Sequence, residues 1–518
     1  MEKRVLLAVA LSGLVLVVWY ALFTPPPVAR PPEGGEGVER TTAEAGAHGK
    51  GEGQEAAAGE ARRPPAEARV EVPEEAVLES DDLRVTVDGA GGVISSIVLK
   101  GYRDDEGKPL ELVRAGGRRP LEMGSLGAWN QEGHVLRREG DTVALLWSDG
   151  EGNWVEKEIA LGPGRFGLRV EVRSGGVVGQ EGVVIASTGA AAGAKGGYFA
   201  RLATLVRANG DLERIDAGKI KKSHHFAGVV EFAGVEDQYF LTVLLPEGGV
   251  GEVKVVGDGS GGAVLAEGVG GVVRGTLYAG PKDHDLLVGY GRGLDETLSF
   301  GIFGIISVAF LAALKWIYSW CGNWGVAIIV LTAALRVVLF PLTHKSTVAM
   351  RRMQKVQPKM KAIQERYKER AKKDPQARAR MNQEVMALYK QEGVNPMGGC
   401  LPLLVQLPIL WALYTLFAYA IELRQAPFAL WITDLAQKDP TYILPVLMTA
   451  SMFLQQKLAP QSADPAQRRL FLMMPLIFGF MFLSFPAGLV LYWLVNNVLT
   501  IVQQVVTERL LREAPAKG

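Results

Sequence analysis

The chain has 518 residues, with 56 Lys and Arg against 55 Asp and Glu and a formal net charge of +1, so it has room for more than one domain and no global charge bias. Its two cysteines, Cys321 and Cys400, exclude a disulfide scaffold, and no CxxC motif or clustered Cys/His metal set occurs. The neutral total hides a strong segregation of charge along the chain.

Residues 1–24 open with Glu2-Lys3-Arg4 and continue as the apolar run Val5–Phe23, which ends in Trp19-Tyr20 and is followed by Pro25-Pro26-Pro27. The run is longer than the apolar core of a signal peptide, so it reads as an uncleaved membrane anchor. Lys3 and Arg4 place its start in the cytoplasm. Residues 25–74 are rich in Pro, Gly, Glu and Ala. They cannot bury enough apolar surface to offset chain entropy and read as a flexible tether.

From 75 to 295 the texture becomes short strand-like runs punctuated by glycine. Leu83–Val87 and Leu168–Val172 alternate, and Thr142–Trp147, Tyr239–Leu245 and Val272–Tyr278 have strand length. Many short strands with little helical period predict one large antiparallel all-β domain on the exported side. No catalytic signature stands out in it. Gly189–Gly197 lacks the spacing of a phosphate loop. Asp283-His284-Asp285 reads as a solvated turn and His224-His225 as surface decoration.

Residues 296–322 contain the apolar run Ser299–Trp320, which hydropathy alone would make a span. Topology argues otherwise. Between Lys345 and Lys390 there are fourteen Lys or Arg and four Asp or Glu, so that loop is cytoplasmic. An odd number of crossings must separate it from the exported domain, and only one of Ser299–Trp320 and Val326–Leu342 can cross. Lys315, Trp316, Tyr318 and Trp320 are interface residues, so the first run is read as a helix lying on the outer surface. Cys321 and Cys400 then fall near opposite faces and do not pair.

The hairpin 345–391 carries Met350, Met353, Val356, Met360, Ile363 and Tyr367 at helical spacing, and Met381, Val385, Leu388 and Tyr389 resume the pattern beyond Asp374-Pro375. This stripe either zips the hairpin or offers, with its basic faces, a surface to nascent chains, ribosomes or anionic lipid. Cys400–Ile421, Thr441–Leu458, Leu470–Phe485 and Ala487–Val506 follow as spans, and the tail 507–518 is cytoplasmic. The reading is a polytopic α-helical membrane protein with six spans and both termini inside.

Polar residues recur at one depth in these spans. Arg336 lies roughly 9 Å from the inner face at 1.5 Å per residue, with Thr332 on the same helix. Gln406, and Asn496, Asn497 and Thr500, sit at about that level on two others. Amides can be helix–helix glue, and an arginine can snorkel to the interface. No Asp or Glu occurs at the depth of Arg336 in any span, however, so this cation calls for an anion from elsewhere.

The membrane half resembles the YidC family of bacterial membrane protein insertases, through LRVVLFPLT (335–343), QPKMKAIQERYKE (357–369), MALYKQEGVNPMGGC (386–400), LPLLVQLPI (401–409), ELRQAPFALWITDL (422–435), DPTYILPVLM (439–448) and FPAGLVLYWLVNN (485–497). YAGPKD (278–283) extends the likeness into the β domain. The resemblance implies a five-helix insertase core (323–506) with an amphiphilic groove open to cytoplasm and lipid and closed outward. Arg336, Thr332, Gln406 and the pair Tyr492-Trp493 match groove positions; Trp493 stands where relatives can carry tyrosine. It further implies a β super-sandwich resembling sugar mutarotases, with no ground for a sugar activity. The expected partners are nascent membrane proteins, with or without the Sec translocon. No cofactor or nucleotide is called for, since no nucleotide motif is present. The rival readings are a solute transporter, which would call for internal repeats, and a membrane-anchored periplasmic carbohydrate-binding protein, which would not need five further spans.

Overall fold

The computed structural model describes residues 75–114, 116–124, 128–162, 164–178, 182–189, 202–248, 250–257, 261–298, 300–370, 374–394, 401–458 and 465–513. The anchor, the tether, most of Gly189–Gly197 and Cys400 lie outside them. Cys321 is an exposed free thiol.

All five strand-like runs noted above fall on strands, except that Tyr239 precedes its strand, which begins at Phe240. Alternation explains most of them: in Leu83–Asp88 the residues Leu83, Val85 and Val87 are buried and Arg84 is exposed. Phe240–Pro246 is buried on both faces, as its uninterrupted apolar run requires. Among the described residues the strands form three antiparallel sheets. A four-stranded sheet runs from Glu75 to Glu111. A nine-stranded sheet has the order Asp211–Asp216, Ala203–Ala208, Val230–Glu236, Phe240–Pro246, Val272–Pro281, Gly167–Gly175, Trp154–Leu161, Thr142–Ser148 and Val135–Glu139. A second four-stranded sheet joins His224–Ala227, Val250–Gly257, Gly262–Gly268 and Val183–Ser187. His225 sits exposed on an edge strand, paired with Glu252.

Helix α1 (His284–Tyr290) ends the β domain. Asp283 is not a solvated turn residue. Its carboxylate accepts hydrogen bonds from the Asp285 and Leu286 amides and caps α1, satisfying donors that a helix start leaves orphaned. Helix α2 (Gly304–Cys321) ends at Gly322, whose positive φ of 63° closes the turn.

Helix α3 (Trp324–Tyr367) is capped by the Asn323 side chain and runs for 44 residues. The expected span and the first arm of the basic hairpin are therefore one rod of about 66 Å, roughly twice the thickness of a bilayer core. Helix α4 (Pro375–Gln391) folds back on it, with Val356, Ala377 and Met381 buried between the arms. Tyr367 Oη donates to Glu384 at 2.6 Å, and Lys359 pairs with Glu392 at 2.6 Å. The apolar stripe thus zips the hairpin, while Met350 and Met386 stay exposed.

Helices α5 (Leu401–Tyr419), α6 (Ile443–Leu458), α7 (Pro465–Phe482) and α8 (Ala487–Glu513) complete the bundle. By length and composition 301–321, α3 and 487–507 can each cross a membrane; Val405–Tyr419 and Leu472–Phe482 are shorter apolar helices. Pairwise contacts set helix directions. Arg336 and Thr343 on α3 meet Asn496 and Gln503 on α8 in the same order, so these helices run parallel. Tyr414 on α5 meets Phe485 just before α8, and Gln406 meets Tyr492, so α5 is antiparallel to α8.

The start of α3, the end of α5 and the start of α8 share one end of the bundle, capped by the loop 420–442. Asn323 donates to Phe428 O, and the amides of Ala487 and Gly488 donate to Gln437 O and Leu435 O. The β domain joins this same end: Gln238 donates to Ala418 O at 2.7 Å.

Candidate functional site at the level of Arg336

Arg336 projects from α3 towards α8. Its Nε donates to Asn496 Oδ1 at 2.7 Å. Among the described residues no carboxylate pairs with it. Two turns further along both helices, Gln503 Nε2 donates to Thr343 Oγ1 at 2.7 Å. Each helix advances seven residues between the two bonds, the repeat of a parallel heptad seam. Sequence reading passed over this second pair, although the heptad step from Arg336 and Asn496 marks it.

Gln406 on α5 donates to the Tyr492 hydroxyl at 2.6 Å. Tyr492 and Asn496 are one turn apart on α8 and so share a face. Arg336, Gln406, Tyr492 and Asn496 thus converge from three helices. The other candidates do not join them. Thr332 is buried and spends its hydroxyl on Ile328 O at 2.6 Å within its own helix. Asn497 turns to α6 and donates to Ser451 Oγ at 3.0 Å, acting as a helix–helix tie. Trp493 stacks on Phe478 with ring centroids 6.2 Å apart and packs against Phe482. Its indole therefore belongs to the α7–α8 aromatic contact.

Packing changes at this level on four helices. On α3 the last closely packed residues before the arginine are Leu331 and Thr332, and none from 333 to 345 is buried. On α5 burial is near continuous from Ala412 to the loop, while Val405 and Leu407, flanking Gln406, are exposed. On α6 burial ends at Met448. On α8 the block Ala487–Tyr492 is buried, and the four residues after it are only partly so. The end towards the β domain is plugged by Ile328, Leu331, Leu413, Leu416, Phe417 and Leu489. Away from it, α3, α5, α6 and α8 are less closely packed, and Arg336, Gln406, Tyr492 and Asn496 meet where that change begins.

Two family models match the chain. One, described as 60Kd inner membrane protein, matches residues 316–514, and one described as YidC periplasmic domain matches residues 75–313. A curated relative from Syntrophus aciditrophicus, named membrane protein insertase YidC, is 34% identical over 97% of this chain and 99% of its own length. The chain belongs to the YidC family. A YidC from Geobacter metallireducens is 34% identical over the full length of both chains. One from Citrifermentans bemidjiense is 41% identical over 354 residues, 66% of this chain and 64% of the relative. A crystal structure of an active YidC insertase with its first transmembrane domain resolved aligns with a TM-score of 0.38 at 19% identity, over 84% of this chain and 92% of that one. The β domain is thus the family's periplasmic domain, and the bundle is the inner membrane protein part.

Proposed function

We propose that the bundle inserts membrane proteins by accepting hydrophobic segments at the open end of the Arg336 groove. The observation that carries this reading is the common level at which α3, α5, α6 and α8 lose their packing. A groove closed at one end and open at the other admits a polar tail partway, which is all that a short translocated tail requires. Arg336 draws acidic residues of the tail, because its only hydrogen-bond partner among the described side chains is a neutral amide that yields easily. The apolar part of the substrate leaves sideways along α5 and α7, where Leu472, Met473, Ile477 and Phe480 are exposed. Lipid covers that face when no substrate does.

The driving force is the transfer of about twenty apolar residues into hydrocarbon, helped by the membrane potential at about 2.3 kcal/mol per charge per 100 mV. The groove lowers the barrier for polar flanks, and no nucleotide enters the scheme. The chain spans the inner membrane six times with both termini in the cytoplasm, and the β super-sandwich is periplasmic. The gathering of the β domain and the loop 420–442 at the closed end supports that orientation. The basic hairpin 345–391 at the other end faces ribosomes or anionic lipid. The groove serves substrates alone or beside the Sec translocon.

The test is reconstitution of the full chain in liposomes without ATP, with a ribosome-made single-span protein carrying a short acidic tail. Protease protection above that of empty liposomes is expected. Equal protection in both would sink the proposal.

A further inference from the structure

The YAGPKD stretch (278–283) has no part in the groove, yet nearly every residue in it is engaged. Tyr278 Oη donates to Pro281 O at 2.5 Å. Gly280 lies against the Phe166 ring, where an added Cβ would come within 2.6 Å of Phe166 Cβ. Lys282 Nζ donates to Glu236 Oε2 at 2.5 Å and to Asp237 O at 2.7 Å. Asp283 caps α1. This end of the β domain is therefore stiff, and it presents two carboxylates to α2. Lys315 Nζ lies 2.8 Å from Asp285 Oδ2 and 3.5 Å from Asp283 Oδ2.

The same ammonium lies 2.9 Å from Glu422 Oε1 on the turn after α5, as an ion pair without hydrogen-bond alignment. Burial pushes the Glu422 carboxyl up, and Lys315 is the main group opposing this. One cation thus joins the β domain, the surface helix and the outer loop. Other basic side chains facing these carboxylates are His284, whose Nδ1 is 3.1 Å from Asp285 Oδ1, and Arg165, whose charge acts on Asp283. Nearby, Arg424 donates to Arg103 O at 2.6 Å, and Gln425 donates to Arg103 O and Asp104 O at 3.1 Å. These contacts seat the loop on the β domain but do not reach α2.

We propose that Lys315 is a positioning residue for insertion: it locks α2 and the loop 420–442 onto the β domain, so that the groove stays shut at that end while it is loaded from the other. Three carboxylates around one ammonium make the joint depend on that charge, because a neutral residue there would leave them facing one another. The consequence for insertion rests on the function proposed above, whereas the geometry of the joint does not.

The experiment compares full-length wild type, Lys315→Met, Lys315→Arg and Glu422→Gln in liposomes. It reads hydrogen exchange of 420–442, ion leak and insertion of the acidic-tailed substrate. Exchange at the hydrogen-bonded amides of Ala426 and Leu435 should speed up at least tenfold in Lys315→Met, with a new ion leak and at least threefold less insertion. Lys315→Arg should restore all three, and Glu422→Gln, which keeps the volume, should move them in the same direction by less. Unchanged exchange in both neutral variants overturns the clamp. A loosened loop with full insertion overturns its part in the reaction. Failure of wild type to insert counts against the groove reading alone, because exchange reports on the clamp separately.

Discussion

Lys157 in the β domain and Arg336 in the bundle are both inward-facing cations with no carboxylate partner among the described residues, and they resolve the problem in opposite ways. Lys157 has no exposed surface, and its Nζ donates to Gly91 O at 3.1 Å and Gly92 O at 2.7 Å. Burial pushes its amine down to about 7, so it can shed its charge. The neighbouring His134 is held neutral in the same way, pushed down to about 3 by burial and by the Lys157 charge. An arginine does not deprotonate in a protein. Arg336 instead stands where close packing ends on α3 and α8, with a neutral amide as its partner. Lys282 shows the third solution, a buried lysine neutralised in place by Glu236. The function proposed above gives Arg336 its counter-charge from an acidic substrate tail, because an arginine cannot lose its proton.

The largest effect should come from Lys157. Its unfolded value is near 10.5 and its folded value about 7, so the unfolded chain binds more protons between them. Through Lys157, stability should therefore rise with pH from about 7 to above 10, by on the order of 5 kcal/mol, and His134 adds a separate slope of the same sign below about 6.5. Urea unfolding of the full chain in detergent should show this slope, and Lys157→Met should flatten it. A slope that survives the substitution would place the titration elsewhere.

Lys282→Met strands Glu236 in the interior with Arg214 as its remaining partner, at 3.1 Å. A loss of about 3 kcal/mol is expected in the same assay. Exchange of both residues for apolar ones should recover part of it.

Arg336→Glu should reduce insertion of acidic-tailed substrates by roughly tenfold, about 1.4 kcal/mol, while neutral tails change little. Equal losses for both tails would remove the electrostatic account of the groove.

The smallest change should follow Asn496→Asp, which gives Arg336 the carboxylate it lacks. Competition from such a partly exposed pair, worth about 0.5–1 kcal/mol, should cut acidic-tail insertion roughly threefold while raising the melting temperature slightly. Measured together, protease protection and melting curves separate this outcome from simple damage.

Much of this molecule was legible in its residues. Alternation exposed the strands, apolar runs exposed the helices, and the arginine within the span marked the level at which close packing ends. The same alternation places Lys157 on the inward face with Val155 and Ile159, a signal the strand reading passed over. What stayed hidden follows from one limit. Periodicity assigns a residue to a face and a depth but not to a partner. Thr332, Asn497 and Trp493 have the right depth and still turn to their own helix, to α6 and to α7.

The split of the long rod α3 into span and hairpin was a reading of charge, which changes at Lys345, whereas the backbone hydrogen bonds of a helix run on regardless. The sequence by itself determined most of the elements, the segregation of charge and the presence of a span cation with no acidic residue at its depth. Only the tertiary structure decided which polar groups meet it, which apolar residues pack at the end next to the β domain, and that Lys315 ties the β domain and the loop after α5 to its own helix, because each of these depends on side chains brought together from distant parts of the chain.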